Sequence, residues 1–160
     1  RLAIEQYPRE KAPVEGAMVE NNLGNTLVSL GLQLNDKAKI NEAADAFRAA
    51  LQVRTRETFP VSWATSRLNL GNALSGVARF DMGPGALEEA AAAYGDALTV
   101  FTRQRFPMDW ASAQNHLGSI YQTRGQRTRD PARLEESAAA FQAARRVYTR
   151  RAFPLDWTLR

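Results

Sequence analysis

The sequence has no cysteine and one histidine, His116. The first absence excludes disulfides and thiolate metal sites, and the second excludes any multi-histidine site. A hydrolytic triad needs a nucleophile, a base and a group that orients the base, so a single histidine argues against an enzyme. No run approaches the roughly 20 apolar residues of a membrane-spanning helix, and the opening residues form no charged-then-apolar leader. Strand-forming clusters are few. Charge of one sign is not in large excess: 21 basic against 17 acidic residues give +4. The basic residues recur beside acidic ones, as in Arg54, Arg56 and Glu57, rather than gathering in a stripe, which disfavours nucleic acid as a partner. These absences fit a soluble chain in a cytoplasmic setting with no membrane contact. A chain that opens on Arg1 is expected to be a piece of something longer.

What is present is a helical composition, rich in Ala, Leu, Arg, Glu and Gln, arranged in a repeat. Pro13, Pro60, Pro107 and Pro154 are spaced by 47 residues each time, without gaps. The same register superimposes Ala17, Ala64 and Ala111; Leu23-Gly24, Leu70-Gly71 and Leu117-Gly118; and Phe47, Tyr94 and Phe141. It also matches Glu42, Glu89 and Glu136, and Thr55, Thr102 and Thr149. The opening RLAIEQYPREKAP aligns with RAALQVRTRETFP at 48–60. The expected organisation is one array: residues 1–12 as the tail of a preceding repeat, repeats at 13–59, 60–106 and 107–153, and the start of a further helix at 154–160.

Within a repeat, Ala64, Leu68, Leu70, Gly71, Leu74 and Val77 fall on spacings of three and four, predicting a first helix over Trp63 to Val77. A second helix is predicted from about Leu87 to Thr102. Asp130 is placed to cap a helix that has Pro131 in its first turn, and Asp36 stands at the equivalent place. Asp81-Met82-Gly83-Pro84-Gly85 reads as a hairpin turn; it lacks the Lys and Ser or Thr of a phosphate loop. The fold class expected is all-α: antiparallel helix pairs stacked into a right-handed superhelical solenoid. Phe47, Tyr94 and Phe141 are expected to fill the gaps between successive hairpins. Phe106 and Trp110, either side of Pro107, are expected to pack the turn between repeats, after a second helix that ends at Thr102 and Arg103.

These residues resemble the tetratricopeptide repeat family, whose pattern is W-x2-L-G-x2-Y, then A-x3-F, then Pro. Leu117-Gly118-x2-Tyr121 matches directly. Leu70-Gly71-x2-Leu74 and Leu23-Gly24-x2-Leu27 match conservatively, and Ala43-x3-Phe47 and Ala90-x3-Tyr94 supply the second helix. The period departs from the usual one of about 34 residues. Trp63 and Trp110 also stand seven residues before the Leu. The FPxDWAxxxNxLG phrase at this long spacing is similar to arrays of bacterial multidomain proteins that accompany CHAT-type peptidase or signalling domains, and to kinesin-light-chain-type repeats.

The resemblance implies a scaffold that binds a protein or peptide along a concave groove lined by first helices. Asn is a poor helix-interior residue, yet Asn21, Asn22 and Asn25, then Asn69 and Asn72, then Asn115 recur there, with His116 at the third step. Side-chain amides both donate and accept, which suits recognition of a peptide main chain. The candidate groove residues are Asn22, Asn25, Asn69, Asn72, Asn115, His116 and Arg67, with Arg124 a further charge. The same amides could instead tie neighbouring helices together. No cofactor, metal or catalytic residue is expected. The other readings are a spacer within a larger signalling or peptidase protein, end-to-end self-association through uncovered terminal helix faces, and an RNA-binding helical repeat.

Overall fold

Each 47-residue period folds as two helices, because each carries a proline that starts a helix and a turn that stops one. The computed structural model describes residues 12–81 and 83–148. The helices are α1 (Pro13–Leu34), α2 (Lys37–Leu51), α3 (Pro60–Val77), α4 (Gly85–Leu98), α5 (Pro107–Thr128) and α6 (Pro131–Val147). No strand occurs among the described residues, so the all-α expectation holds there. The expected helix tail, apart from Ala12, and the expected start of a further helix at 154–160 lie outside the described residues, as do Met82 and the last residues of the third repeat.

The three first helices begin with one backbone geometry. A residue before proline is pushed out of the α region, and Ala12, Phe59 and Phe106 take φ/ψ of −148/70°, −137/63° and −138/64°. Proline at the first helical position has no N–H to leave unpaired. The carbonyl of the preceding residue accepts instead from the N–H of Gly16, Trp63 or Trp110, at 2.9, 2.8 and 2.9 Å. None of the three has a side-chain cap.

The hairpin turns are of two kinds. In the first and third repeats the helix ends on a left-handed residue, Asn35 (φ 53°) or Arg129 (φ 54°). The following N–H, of Asp36 or Asp130, then returns to the carbonyl of Gly31 or Gly125 at 2.8 and 3.0 Å. Each Asp at once caps the next helix, its Oδ1 accepting from Ala38 N–H at 2.8 Å or Ala132 N–H at 3.0 Å. Gly31 and Gly125 allow this closeness: a Cβ would lie 2.6 Å from Ile40 Cγ1 or 2.8 Å from Leu134 Cδ2. The second repeat has Ala78 and Gly83 at these places. There α3 stops at Val77, and α4 starts after Pro84 without a side-chain cap.

The aromatic positions sit inside each hairpin rather than between hairpins, which corrects the sequence expectation. A Cβ on Gly24 would lie 2.6 Å from Phe47 Cε1, one on Gly71 2.7 Å from Tyr94 Cε1, and one on Gly118 3.1 Å from Phe141 Cδ1. The Leu-Gly signature is thus the seat of an aromatic ring from the partner helix. Phe47 and Tyr94 are fully buried, and burying such a ring contributes roughly 1.5–3 kcal/mol.

The second helix is shorter than expected. α4 ends at Leu98, so Thr102 and Arg103 belong to the link rather than to the helix end. Thr102 Oγ1 accepts from Arg105 N–H at 3.3 Å, as Thr55 Oγ1 does from Thr58 N–H at the same distance. Short polar side chains that bond local backbone favour turns over helices.

Contacts divide the chain into two units, residues 1–100 and 101–160. In the first unit α3 lies against both hairpin partners of the first repeat. Gly76 faces Ile40 of α2, where a Cβ would be 3.1 Å from Cγ2, and buried Ser66 donates to Asn21 Oδ1 of α1 at 3.0 Å. In the second unit, Trp110 and Tyr148 pack on Ala111, Ala144 and Val147. Buried Ser137 ties α6 to the Gly118 carbonyl of α5 at 2.8 Å.

Candidate functional site

Helical geometry puts residues four or seven apart on one stripe. On α1 the stripe is Val14, Met18, Asn22, Asn25 and Ser29, and every member is exposed. On α3 the equivalents Val61 and Thr65 are exposed, Asn69 and Asn72 are half-buried, and Gly76, in the place of Ser29, is buried. On α5 Met108 and Ser119 are exposed, with Ser112 and His116 half-buried. The neighbouring face of α3 behaves oppositely: Ser66, Leu70 and Val77 are buried.

The sequence-selected amides divide by what already holds them. Asn22 and Asn25 are exposed, and among the described residues only their backbone carbonyls are engaged, by Thr26 and Ser29 hydroxyls at 3.1 Å each. Asn69 Nδ2 lies 3.5 Å from Asn21 Oδ1 on α1, the outer limit of a hydrogen bond. Asn72 Oδ1 accepts from the Tyr94 hydroxyl at 2.8 Å, and Ser75 Oγ lies 3.1 Å from that hydroxyl. Burial, opposed in part by the Ser75 hydrogen bond, pushes the Tyr94 phenol up to about 12. The carbonyl of Asn72 is therefore committed to the hairpin core. Asn115 is exposed on α5, and beside it His116 is half-buried, its pKa lowered by that burial.

Arg67 does not join the stripe. Its Nη2 pairs with Asp96 of α4 at 2.5 Å, and its guanidinium lies 5.6 Å from the centroid of the Trp63 ring. Arg56 approaches the same ring at 5.9 Å, and Arg103 approaches Trp110 at 6.0 Å. The tryptophan of the Phe-Pro-x-x-Trp phrase thus recurs with an arginine from the link before it, a cation–π pair of modest strength at exposed sites. Trp63 also borders a cavity of 320 Å³ with Arg48, Leu51, Gln52, Arg67, Leu70 and Glu89. Arg48 bridges the repeats there by donating to Glu89 Oε1 at 2.7 Å, and that hydrogen bond raises its pKa.

Sequence reasoning passed over the apolar beginning of the stripe. Val14, Val61 and Met108, each following the helix-starting proline, are 43, 44 and 41% exposed, so the repeat holds an uncovered apolar side chain there three times. The signal was legible in the 47-residue register. Among the described residues no group of His, Cys, Asp and Glu could hold a metal ion, and no helix is long and apolar enough to cross a membrane. Comparison with protein-family models, curated proteins and solved structures gives no match.

Proposed function

We propose that the chain is a protein-interaction scaffold that binds a peptide segment of a partner protein along the exposed stripe of its first helices. The observation that carries this reading is the pair Asn22 and Asn25, exposed on α1 with side-chain amides that make no hydrogen bond among the described residues. Asn disfavours helix interiors, and a free side-chain amide offers one acceptor and two donors to an extended main chain. The stripe runs from apolar Val14 and Met18 to polar Asn22, Asn25 and Ser29, the mix of contacts a peptide presents. The tetratricopeptide-like pattern, the right-handed superhelical stacking and the concave groove belong to the same proposal, with Asn69, Asn115 and His116 as the further steps. A place within a larger, bacterial, cytoplasmic protein follows from that resemblance.

The test is selection of displayed peptides on the immobilised chain, followed by titration of the best binder against the Asn22→Ala/Asn25→Ala variant. Two net hydrogen bonds at about 1 kcal/mol each predict a loss of roughly tenfold or more. Undiminished affinity at an unchanged melting temperature would contradict the reading.

A further inference from the structure

A second feature sits at the start of the same stripe. Val14, Glu15 and Met18 of α1, Arg54 and Phe59 of the link, and Ser62 of α3 enclose a mainly apolar pocket of 290 Å³. Val14, Met18 and Phe59 are 43, 50 and 37% exposed, so its apolar wall is open to solvent.

Arg54 is out of place here by the logic of the repeat. Its equivalents are Phe101, which is buried, and Tyr148, which packs on the third hairpin. In the first unit the other half-buried arginines have carboxylates: Arg48 has Glu89 and Asp45, and Arg67 has Asp96. Among the described residues Arg54 has none, and its one polar contact is Nη1 to Ser66 Oγ at 3.2 Å. Ser66 in turn donates its own hydrogen bond to Asn21 Oδ1 at 3.0 Å. Ser66 stands where the other repeats have Val19 and Ala113, whereas the place of Asn21 is held by Leu68 in the second repeat and by Asn115 in the third. Arg54 and Ser66 are polar where the other repeats are aromatic or apolar, and with Asn21 they form a hydrogen-bonded chain around a cation that burial disfavours, lowering its pKa. Packing alone would be served by the aromatic residue used elsewhere. Glu15 also lines the pocket, and it is not a salt-bridge partner of Arg54 among the described residues.

We propose that this pocket anchors the bound peptide by an aliphatic side chain whose neighbouring residue is acidic, the carboxylate pairing with Arg54. The apolar walls remove the aliphatic group from water, and the partly desolvated guanidinium gains a counter-ion that none of the described residues supplies. A charge-assisted hydrogen bond is about twice as strong as a neutral one. The inference rests on the peptide-binding reading above and adds the chemistry of the ligand.

The test titrates the isotope-labelled full chain with three capped tetrapeptides at millimolar concentration, following the Val14 and Met18 methyl and Arg54 Nε resonances by NMR. The probes are acetyl-Gly-Leu-Asp-Gly-amide, its Leu-Asn counterpart and its Ala-Asp counterpart. The expected result is saturable shifts with Leu-Asp and roughly tenfold weaker binding with Leu-Asn. Binding of Ala-Asp should also be weaker. Arg54→Gln should equalise Leu-Asp and Leu-Asn, and Glu15→Gln should tighten Leu-Asp. Met18→Glu, an exposed change that leaves the fold intact, should abolish the Leu-Asp shifts.

Equal affinity for Leu-Asp and Leu-Asn in the unmodified chain overturns the role of Arg54. Shifts that follow protein rather than peptide concentration assign the pocket to a second copy of the chain and overturn the proposal. A selected binder that shifts Asn22 and Asn25 but not Val14 or Met18 removes the anchor and leaves the peptide-binding face standing. If no selected peptide shifts either set, both readings fall.

Discussion

The first two repeats share the 47-residue register and the Leu-Gly seat, yet their hairpins solve one packing problem in two chemistries. In the first, Phe47 is seated on Gly24 and asks for nothing polar. In the second, Tyr94 is seated on Gly71 equally deeply, and its hydroxyl needs partners, which Asn72 and Ser75 provide at 2.8 and 3.1 Å. Asn25 and Asn72 occupy the same repeat position. One faces solvent and the other serves the core, and the single atom that separates Phe from Tyr on the opposite helix decides which. A repeated polar residue therefore does not repeat its job; its partner residue must be read with it.

The largest break in the comparison should come at the glycine seats. Gly24→Ala and Gly71→Ala would each place a methyl group 2.6 or 2.7 Å from a ring carbon. Overpacking of this kind costs about 1–3 kcal/mol, more than the roughly 1 kcal/mol that Ala gains over Gly in helix propensity. At Gly118 the clearance is 3.1 Å, so Gly118→Ala should be near neutral. Urea unfolding of the three variants checks the order.

Tyr94→Phe should convert the second hairpin to the chemistry of the first at a cost of about 1 kcal/mol, the net worth of a hydrogen bond. The same variant should remove an alkaline signature. Because the folded phenol is held up at about 12 against an ordinary value of 10.0, the unfolded chain ionises first. Stability is then full below pH 10 and falls as pH rises towards about 12. Melting curves through that window should show a steeper decline for the native chain than for Tyr94→Phe.

The turns give a smaller contrast. Asp36→Ala removes a cap that accepts from two N–H groups and should cost about 1 kcal/mol. Gly83→Ala, at the equivalent place in the uncapped turn, has nothing within 4 Å of a new Cβ and should leave the unfolding midpoint unchanged. Arg129, held left-handed at φ 54°, should yield a stabilisation of up to about 1 kcal/mol as Arg129→Gly, by relief of the strain a Cβ meets there.

Much of this fold could be read from the sequence, because the features that repeat are local. Proline before a helix, Asp as a cap and Leu-Gly opposite an aromatic each act within a few residues or across one hairpin. The misplaced second-helix end has a local cause too. Thr99 and Thr102 bond nearby backbone and favour the turn, while apolar Val100 and Phe101 continue the helical pattern without being helical. The division of labour among the amides was less legible. It depends on contacts between helices, such as Tyr94 reaching Asn72, and on Arg67 finding Asp96 rather than solvent. Arg54 was visible as a departure from the aromatic register, but that no described carboxylate pairs with it is a property of the folded chain alone.

Asn25 of the first repeat is exposed, whereas its equivalent in the second repeat, Asn72, is spent on the core, and the proposed peptide binding uses the first. The direct test compares the melting temperatures of Asn25→Ala and Asn72→Ala, each with and without a selected peptide. The account predicts that Asn25→Ala melts like the native chain and gains less from the peptide, whereas Asn72→Ala melts lower before any peptide is added. A lower melting temperature for Asn25→Ala with a full peptide response, beside an unperturbed Asn72→Ala, would contradict it.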